Sequence, residues 1–324
     1  MKFSTVAVRI LTAGVLVALA GSAAAQPAYP SKPIRFIVPY PPGGAVDVLA
    51  RLVGPKLTET WGQPVIVDNR AGGNTIIGTT TLVKSPPDGY TIMLAVTTLA
   101  VLPNLDSGLP YDTLKDLAPV ATISISPLVL VAHPSVAANN LQEFIALAKS
   151  RPGQLNYGAG TGSTPHLAAA MFEILAGVKM QHIPYKGTGA GFVDLLAGRV
   201  QLWFFNAINV ISYIKAGSLK PIAITGESRS ATLPQVPTFT EAGLPGLEVD
   251  TWFGVLARAG TPKGIIDKLS AELGRMLATP DTKEMLLRAG MVPFVSTPEQ
   301  FAALIKADIV KYAKIIKIGN IKLE

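Results

Sequence analysis

Apolar and polar positions along the chain follow two rhythms in turn. Seven short runs rich in β-branched and aromatic residues read as strands: IRFIVPY (34–40), PVIVDN (64–69), YTIMLAV (90–96), LVLVAH (128–133), LNYGA (155–159), VQLWFF (200–205) and LKPIAIT (219–225). Between several of them the apolar residues recur at helical spacing, over Val46–Thr58, Leu141–Lys149, Leu167–Ala176, Gly191–Leu196, Ile265–Leu277, Thr282–Arg288 and Pro298–Lys317. Strands that alternate with helices predict α/β sheets covered on both faces. Two long extended stretches, 117–135 and 246–262, fall where one α/β set ends and another begins. If they pair as crossing strands, the middle of the chain is a lobe inserted into the first. If they are ordinary loops, it is not, and pattern alone leaves both readings open.

The first 25 residues stand apart from this scheme. Lys2 and Arg9 precede and flank an apolar core at Ile10–Ala20, and Ala23, Ala24 and Ala25 provide the small residues of a cleavage site. The apolar core is shorter than the roughly 20 residues that span a bilayer, so a cleaved signal peptide over 1–25 is expected, and export with it. The remaining 299 residues suit two lobes better than one core. Without Lys2 and Arg9 they carry 26 basic against 21 acidic residues, spread along the chain. No run of five basic residues marks a nucleic-acid footprint. The absence of cysteine excludes disulfides, thiolate metal sites and a Cys nucleophile. Nothing in the pattern calls for a second copy, and a monomer is expected.

Candidate chemistry gathers at two strand-to-helix turns. In YGAGTGSTPH (157–166) Pro165 suits the first helical position and Thr164 the N-cap before it, so a helix opens at the end of a glycine loop. Its free N–H groups and positive dipole end face that loop and suit an anion. The stretch PYPPGGAVD (39–47) repeats the arrangement, with Gly43 and Gly44 admitting close backbone approach. Each helix end contributes roughly 0.3–1 kcal/mol to a bound anion, or about 2 when partly buried. Two well-capped helices with structural glycines would give the same pattern. Nucleotide binding fits poorly: no Lys follows the loop, and Ser163 stands where the third glycine of G-x-G-x-x-G belongs. There is no G-x-S-x-G elbow, no H-E-x-x-H and no cluster of acids at ligand spacing. Neither cofactor nor metal is expected. A hydrolase built on Ser163 and His166 remains as an alternative from another class.

Several longer segments, among them YPSKPIRFIVPYPPGGAVDVLAR, VDNRAGGNTIIG, LNYGAGTGSTPHLAAAMF, PYKGTGAGFVDLLAGRV and LPQVPTFTEAGLPGLEVDTWFGVLARAGTP, closely resemble those of the solute-binding receptors of the tripartite tricarboxylate transporter, or Bug, family. The resemblance spans nearly the whole chain after residue 25. It implies an α/β, two-lobed periplasmic binding protein of type II. Each lobe is a mixed sheet flanked by helices, and two crossing strands join them. Residues 26–130 with 250–324 form the first lobe, and 131–249 the inserted second.

The implied role is capture of a small carboxylate, aromatic or dicarboxylate among the options, for membrane permease subunits. A periplasmic sensor that presents its ligand to a receptor kinase would share the same residues. Matching position by position, the resemblance implies ligand contacts from Tyr40, Pro42, Gly43, Gly44, Ala45, Asp47, Asn74, Thr97 and Thr98 in the first lobe. From the second it implies Gly160, Thr161, Ser163, Thr164, His166, Tyr185, Phe205 and Asn206, with Lys186 beside Tyr185 a weaker candidate. Members that bind amino acids carry an acid where this chain has Gln201 or Phe205, so amino acids are expected to bind poorly. Trp203, Phe204 and Phe205 alternate along their strand, and either face, or neither, could reach the ligand.

Overall fold

A computed structural model describes residues 29–185 and 188–322; the leader expected at 1–25 and Lys186 lie outside the described residues. The apolar runs become β1 (Ile34–Val38), β2 (Val65–Asn69), β3 (Thr91–Val96), β5 (Leu128–Ala132), β6 (Asn156–Ala159), β8 (Leu202–Asn206) and β9 (Lys220–Ile224). The helical rhythm becomes α1 (Ala45–Trp61), α4 (Leu141–Ser150), α5 (Thr164–Ala176), α6 (Thr188–Leu196), α8 (Lys263–Ala278), α9 (Pro280–Arg288) and α10 (Pro298–Ile318). Their ends are set by local chemistry. α1 stops at Gly62, whose φ of 64° is left-handed, and α10 opens on a capping box between Thr297 and Gln300.

Both extended stretches form strands and pair. β4 (Leu117–Ser126) and β10 (Thr251–Arg258) run antiparallel, from Thr251 opposite Ser126 to Arg258 opposite Leu117, through two register shifts. With β11 (Val292–Pro293) they complete a six-stranded mixed sheet in the order β11-β4-β10-β3-β1-β2. The other sheet, with β7 (Gln181–Pro184), has the order β7-β6-β8-β5-β9. Pro127 alone separates β4 in one sheet from β5 in the other, and the chain returns just before Thr251. The two passages are tied together. Thr225 Oγ1 accepts from Leu128 N and donates to Asp250 Oδ1, while Thr97 Oγ1 accepts from Trp252 N and donates to Asp250 O.

Three helices lie where neither rhythm predicts one: α2 (Ile76–Val83), the single turn α3 (Thr98–Val101) and α7 (Ala207–Lys215). Their sequences, IIGTTTLV, TLAV and AINVISYIK, are dense in β-branched residues that read as strand or as nothing. In α2, Gly78 is needed sterically, since a Cβ there would lie 2.6 Å from that of Pro39.

Both sheets belong to one compact unit that begins at Lys32. One apolar cluster runs through both, from Ile37 and Met93 to Leu130 and Phe204, and α10 packs on β4 and also reaches α5. Parallel strands β1 and β3 end, and antiparallel β10 begins, on the same side of the larger sheet. In the smaller sheet β6 and β8 end beside the start of β5. The carboxyl ends of the parallel strands therefore all open toward one cleft, the usual place for ligands in α/β sheets.

Candidate functional site

The cleft encloses a cavity of about 970 Å³. Helix N-termini from both sheets open into it. α1 is capped by Gly44 in extended conformation with no side-chain cap, so its first N–H groups are left for other partners. α5 is capped by Ser163, one residue before the expected Thr164, with Thr164 and Pro165 in the first turn. The shift is physically small because Ser and Thr are comparable caps and Pro fits the first turn. The Ser163 hydroxyl does not cap its own helix: Oγ is buried without a hydrogen-bond partner at the cavity wall. Thr164 is thus a first-turn residue, and no side chain caps α5.

Tyr40, Pro42, Gly43, Gly44, Ala45, Asn74 and Thr98 line the cavity from the larger sheet, and Gly160, Thr161, Ser163, Thr164, Tyr185 and Asn206 from the smaller. Tyr40 Oη donates to Thr98 Oγ1 at 3.1 Å, and burial pushes the Tyr40 phenol up to about 12. Tyr185 Oη donates to Asp194 at 2.8 Å, and burial with that carboxylate raises its pKa to about 12. Both phenols stay neutral at any physiological pH.

Four of the expected residues stand behind the wall. Asp47 is buried and gathers Gly43 N (2.9 Å), Arg51 Nε and Asn69 Nδ2 (2.9 Å) onto its carboxylate, fixing the glycine turn from beneath. Burial acts to raise its pKa, and the bonds from Arg51, Gly43 and Asn69 outweigh it, so the group sits below the ordinary carboxylate value. Thr97 is spent on the two chain passages. His166 turns back into its own loop, where Nδ1 accepts from Gly162 N at 3.1 Å and the ring stacks on His182 with centroids 3.9 Å apart. Phe205 belongs to the core, edge-on to Phe192 and stacked on Trp203. Gln201 is equally remote from the ligand space, its Oε1 accepting from Asn156 N and its Nε2 donating to Gly198 O.

The committed turn of His166 also removes the hydrolase reading. Its Nδ1 is occupied by a backbone amide and Ser163 Oγ has no partner, so the two do not form a nucleophile and base pair. Among the described residues no group of three His, Cys, Asp or Glu side chains is placed to hold a metal ion.

Sequence reasoning missed Thr75, Asn209, Thr251 and Phe253 in the wall and left Trp203 undecided. Thr75, Trp203 and Thr251 are buried, and Thr75 Oγ1, Trp203 Nε1, Thr251 Oγ1 and Asn206 Nδ2 have no partner among the described residues. None of the described lining residues is charged. The cavity thus offers neutral hydroxyl, amide and indole groups, with helix ends as its sources of positive potential.

The turn at GGNT carries strain. Gly72 and Gly73 are followed by Asn74 at φ 50° and Thr75 at φ 81°, a left-handed conformation costly for a β-branched residue. The turn holds Asn74 so that its Nδ2 donates to Thr161 O at 2.9 Å, a hydrogen bond across the cleft from one sheet's loops to the other's. Asn74→Gly keeps the backbone conformation and deletes this bridge together with the amide that Asn74 presents to the cavity wall. Ligand affinity is expected to fall roughly 3- to 10-fold, the range for one hydrogen bond, while the melting temperature barely moves. Titration calorimetry on the two proteins, with a melt of each, measures both.

Comparison with known proteins agrees with this architecture. The family model described as the tripartite tricarboxylate transporter family receptor matches residues 49–321. The chain is 38% identical to Protein BugT of Bordetella pertussis over 316 residues, covering 96% of this chain and 97% of that one. Among solved structures it is similar to Rpa4515 of R. palustris with adipate, at 32% identity and a TM-score of 0.87 over 91% of this chain and 99% of that one. It is also similar to MatC from Rhodopseudomonas palustris with bound malate, at 29% identity and a TM-score of 0.80 over 89% and 100%.

Proposed function

The chain belongs to the receptor family of tripartite tricarboxylate transporters, and from that membership we propose that it captures a small carboxylate between its two sheets and delivers it to membrane permease subunits. It is a solute-binding receptor and not an enzyme. One observation carries the ligand class. The N-termini of α1 and α5 open into an uncharged cavity, and Ser163 supplies a buried, unpartnered hydroxyl beside the second. A carboxylate placed there receives amide and hydroxyl donors and two positive dipole ends. Adipate with one relative and malate with another are small carboxylates of this kind.

The lobes, expected to divide near residues 130 and 250, exchange the chain at Pro127 and beside Asp250, and closure is a hinge motion about those passages. The site works in the periplasm after removal of residues 1–25. Ligand grip comes from the residues in the wall, while Asp47, Thr97 and His166 hold the loops that carry them. Amino acids are poor ligands, because no buried acid in the described wall receives their ammonium group.

Calorimetry on the mature protein with mono-, di-, tri- and aromatic carboxylates, and with aspartate and glutamate, tests the proposal. Saturable binding of a carboxylate, weakened in Ser163→Ala by roughly an order of magnitude, is the expected result. Tight binding of aspartate or glutamate with none of the plain carboxylates overturns it.

A further inference from the structure

Trp203 is held in an unusual seat. The indole sits between β6 and α6, where a Cβ on Gly158 would lie 2.1 Å from Cζ3 and one on Gly191 2.1 Å from Cη2. Phe205 stacks on the ring at 5.0 Å and 12°, and Tyr185 leans on it at 5.3 Å. The Cε3–Cζ3–Cη2 edge is thus pressed into the glycine slot. Nε1 lies on the opposite edge of an indole and is turned away from the glycines. The residue is 1% exposed and lines the cavity, and Nε1 has no partner among the described residues.

Asn206 lies at the end of the same strand. It caps α7 without a side-chain hydrogen bond, its Nδ2 is unpartnered, and it lines the cavity together with Asn209 one turn further on. An indole N–H can only donate, and a buried donor without an acceptor is destabilising. The N-terminus of α7, which Asn206 caps, favours negative charge on an oxygen bound beside Asn206.

Building on the carboxylate reading above, we propose that Trp203 is a specificity-determining residue whose N–H, with Asn206, selects a hydrogen-bond-accepting oxygen on the ligand's distal end. The ligand is then a two-headed molecule. One carboxylate meets the ends of α1 and α5, an apolar segment passes Phe253 and Val96, and a carboxylate or carbonyl oxygen meets Trp203. A distal ammonium group faces a donor and is refused.

Two matched ligand sets test this on the mature protein by calorimetry. One is adipate, its half-amide, hexanoate and ε-aminocaproate; the other is succinate, its half-amide, butyrate and γ-aminobutyrate. In at least one set the diacid and the half-amide bind roughly ten-fold or more tightly than the methyl-ended acid, and the amine binds more weakly still. The diacid against the half-amide then tells whether the distal oxygen is charged. In Trp203→Phe, which keeps an aromatic ring in the slot, the ratio of diacid to methyl-ended acid collapses toward one. The wild-type ratios decide the matter if that variant does not fold. Methyl-ended acids that bind as tightly as diacids, or an amine that binds tightly, overturn the role of Trp203 while leaving carboxylate capture intact. Absence of binding by every acid in both sets overturns the two together.

Discussion

Gly191→Ala is expected to destabilise the protein by about 1–3 kcal/mol or more, although in an ordinary helix the same change is stabilising by up to about 1 kcal/mol. Gly191 lies within α6, where alanine is the better helix former and no left-handed φ argues for glycine. What forbids the methyl group is Trp203. The new Cβ would lie 2.1 Å from Cη2, 2.2 Å from Cζ3 and 3.0 Å from Tyr185 Cγ. The ring has nowhere to yield, because Gly158 closes its edge on the strand side and Phe205 stacks on it. Either the helix lifts from the sheet or the indole is expelled from its seat. Thermal and denaturant unfolding should show a melting temperature lower by several degrees, and ligand affinity should fall with it because Trp203 forms part of the cavity wall. The cause is checked by a double-mutant cycle: on a Trp203→Leu background, Gly191→Ala should cost little, and the non-additivity measures the contact. A stabilised Gly191→Ala single variant would mean that the slot is loose.

That slot also marks where sequence reasoning stops. Period and turn chemistry are local, so seven of the strands, most helices and the glycine turns before α1 and α5 could be read from neighbouring residues, while the short β7 and β11 could not. Parity along β8 places Trp203 and Phe205 on one face, but it cannot tell which of them reaches the cleft. Gly158 and Gly191 decide that from two distant elements by opening a seat for the indole. His166 was legible in its position and not in its direction. It follows Ser163 by three residues, the spacing at which a first-turn side chain reaches back to the loop, and a histidine there can serve the loop amide as readily as a ligand. α7 escaped because AINVISYIK has neither rhythm, and with it went the cap position of Asn206 at the cavity wall. Asn74 was recovered through resemblance, yet the left-handed φ of Thr75 beside it has no sequence signal stronger than the two preceding glycines.

The inward turn of His166 has a consequence for pH. Burial, with the neighbouring His182, lowers its pKa from 6.5 to about 3. Nδ1 accepts from Gly162 N, so the neutral ring carries its hydrogen on Nε2. Between those two pH values the unfolded chain binds a proton that the folded chain refuses. The stability that neutral His166 contributes is complete above about pH 6.5 and declines as the pH falls toward 3, by up to about 1.4 kcal/mol per pH unit.

Other groups tilt the same curve. Asp47 and Asp68, held below the ordinary carboxylate value, lose their contribution at more acid pH, in the same direction. Half-buried Glu173 and Asp250 and buried Asp308, raised above it by desolvation, act in the opposite sense. His166→Gln isolates the histidine, since its amide oxygen can still accept from Gly162 N while adding no titration. The wild type should lose roughly 1–2 kcal/mol relative to this variant between about pH 7 and pH 5, measured by urea unfolding at each pH. Affinity should behave differently. In the folded protein His166 stays neutral over that whole range, and the loop from Gly160 to Ser163 keeps its clamp, so carboxylate binding should remain flat while stability slopes. A parallel fall of both would mean that the ring takes its proton inside the fold, and that the Gly162 amide is not what holds the loop in place.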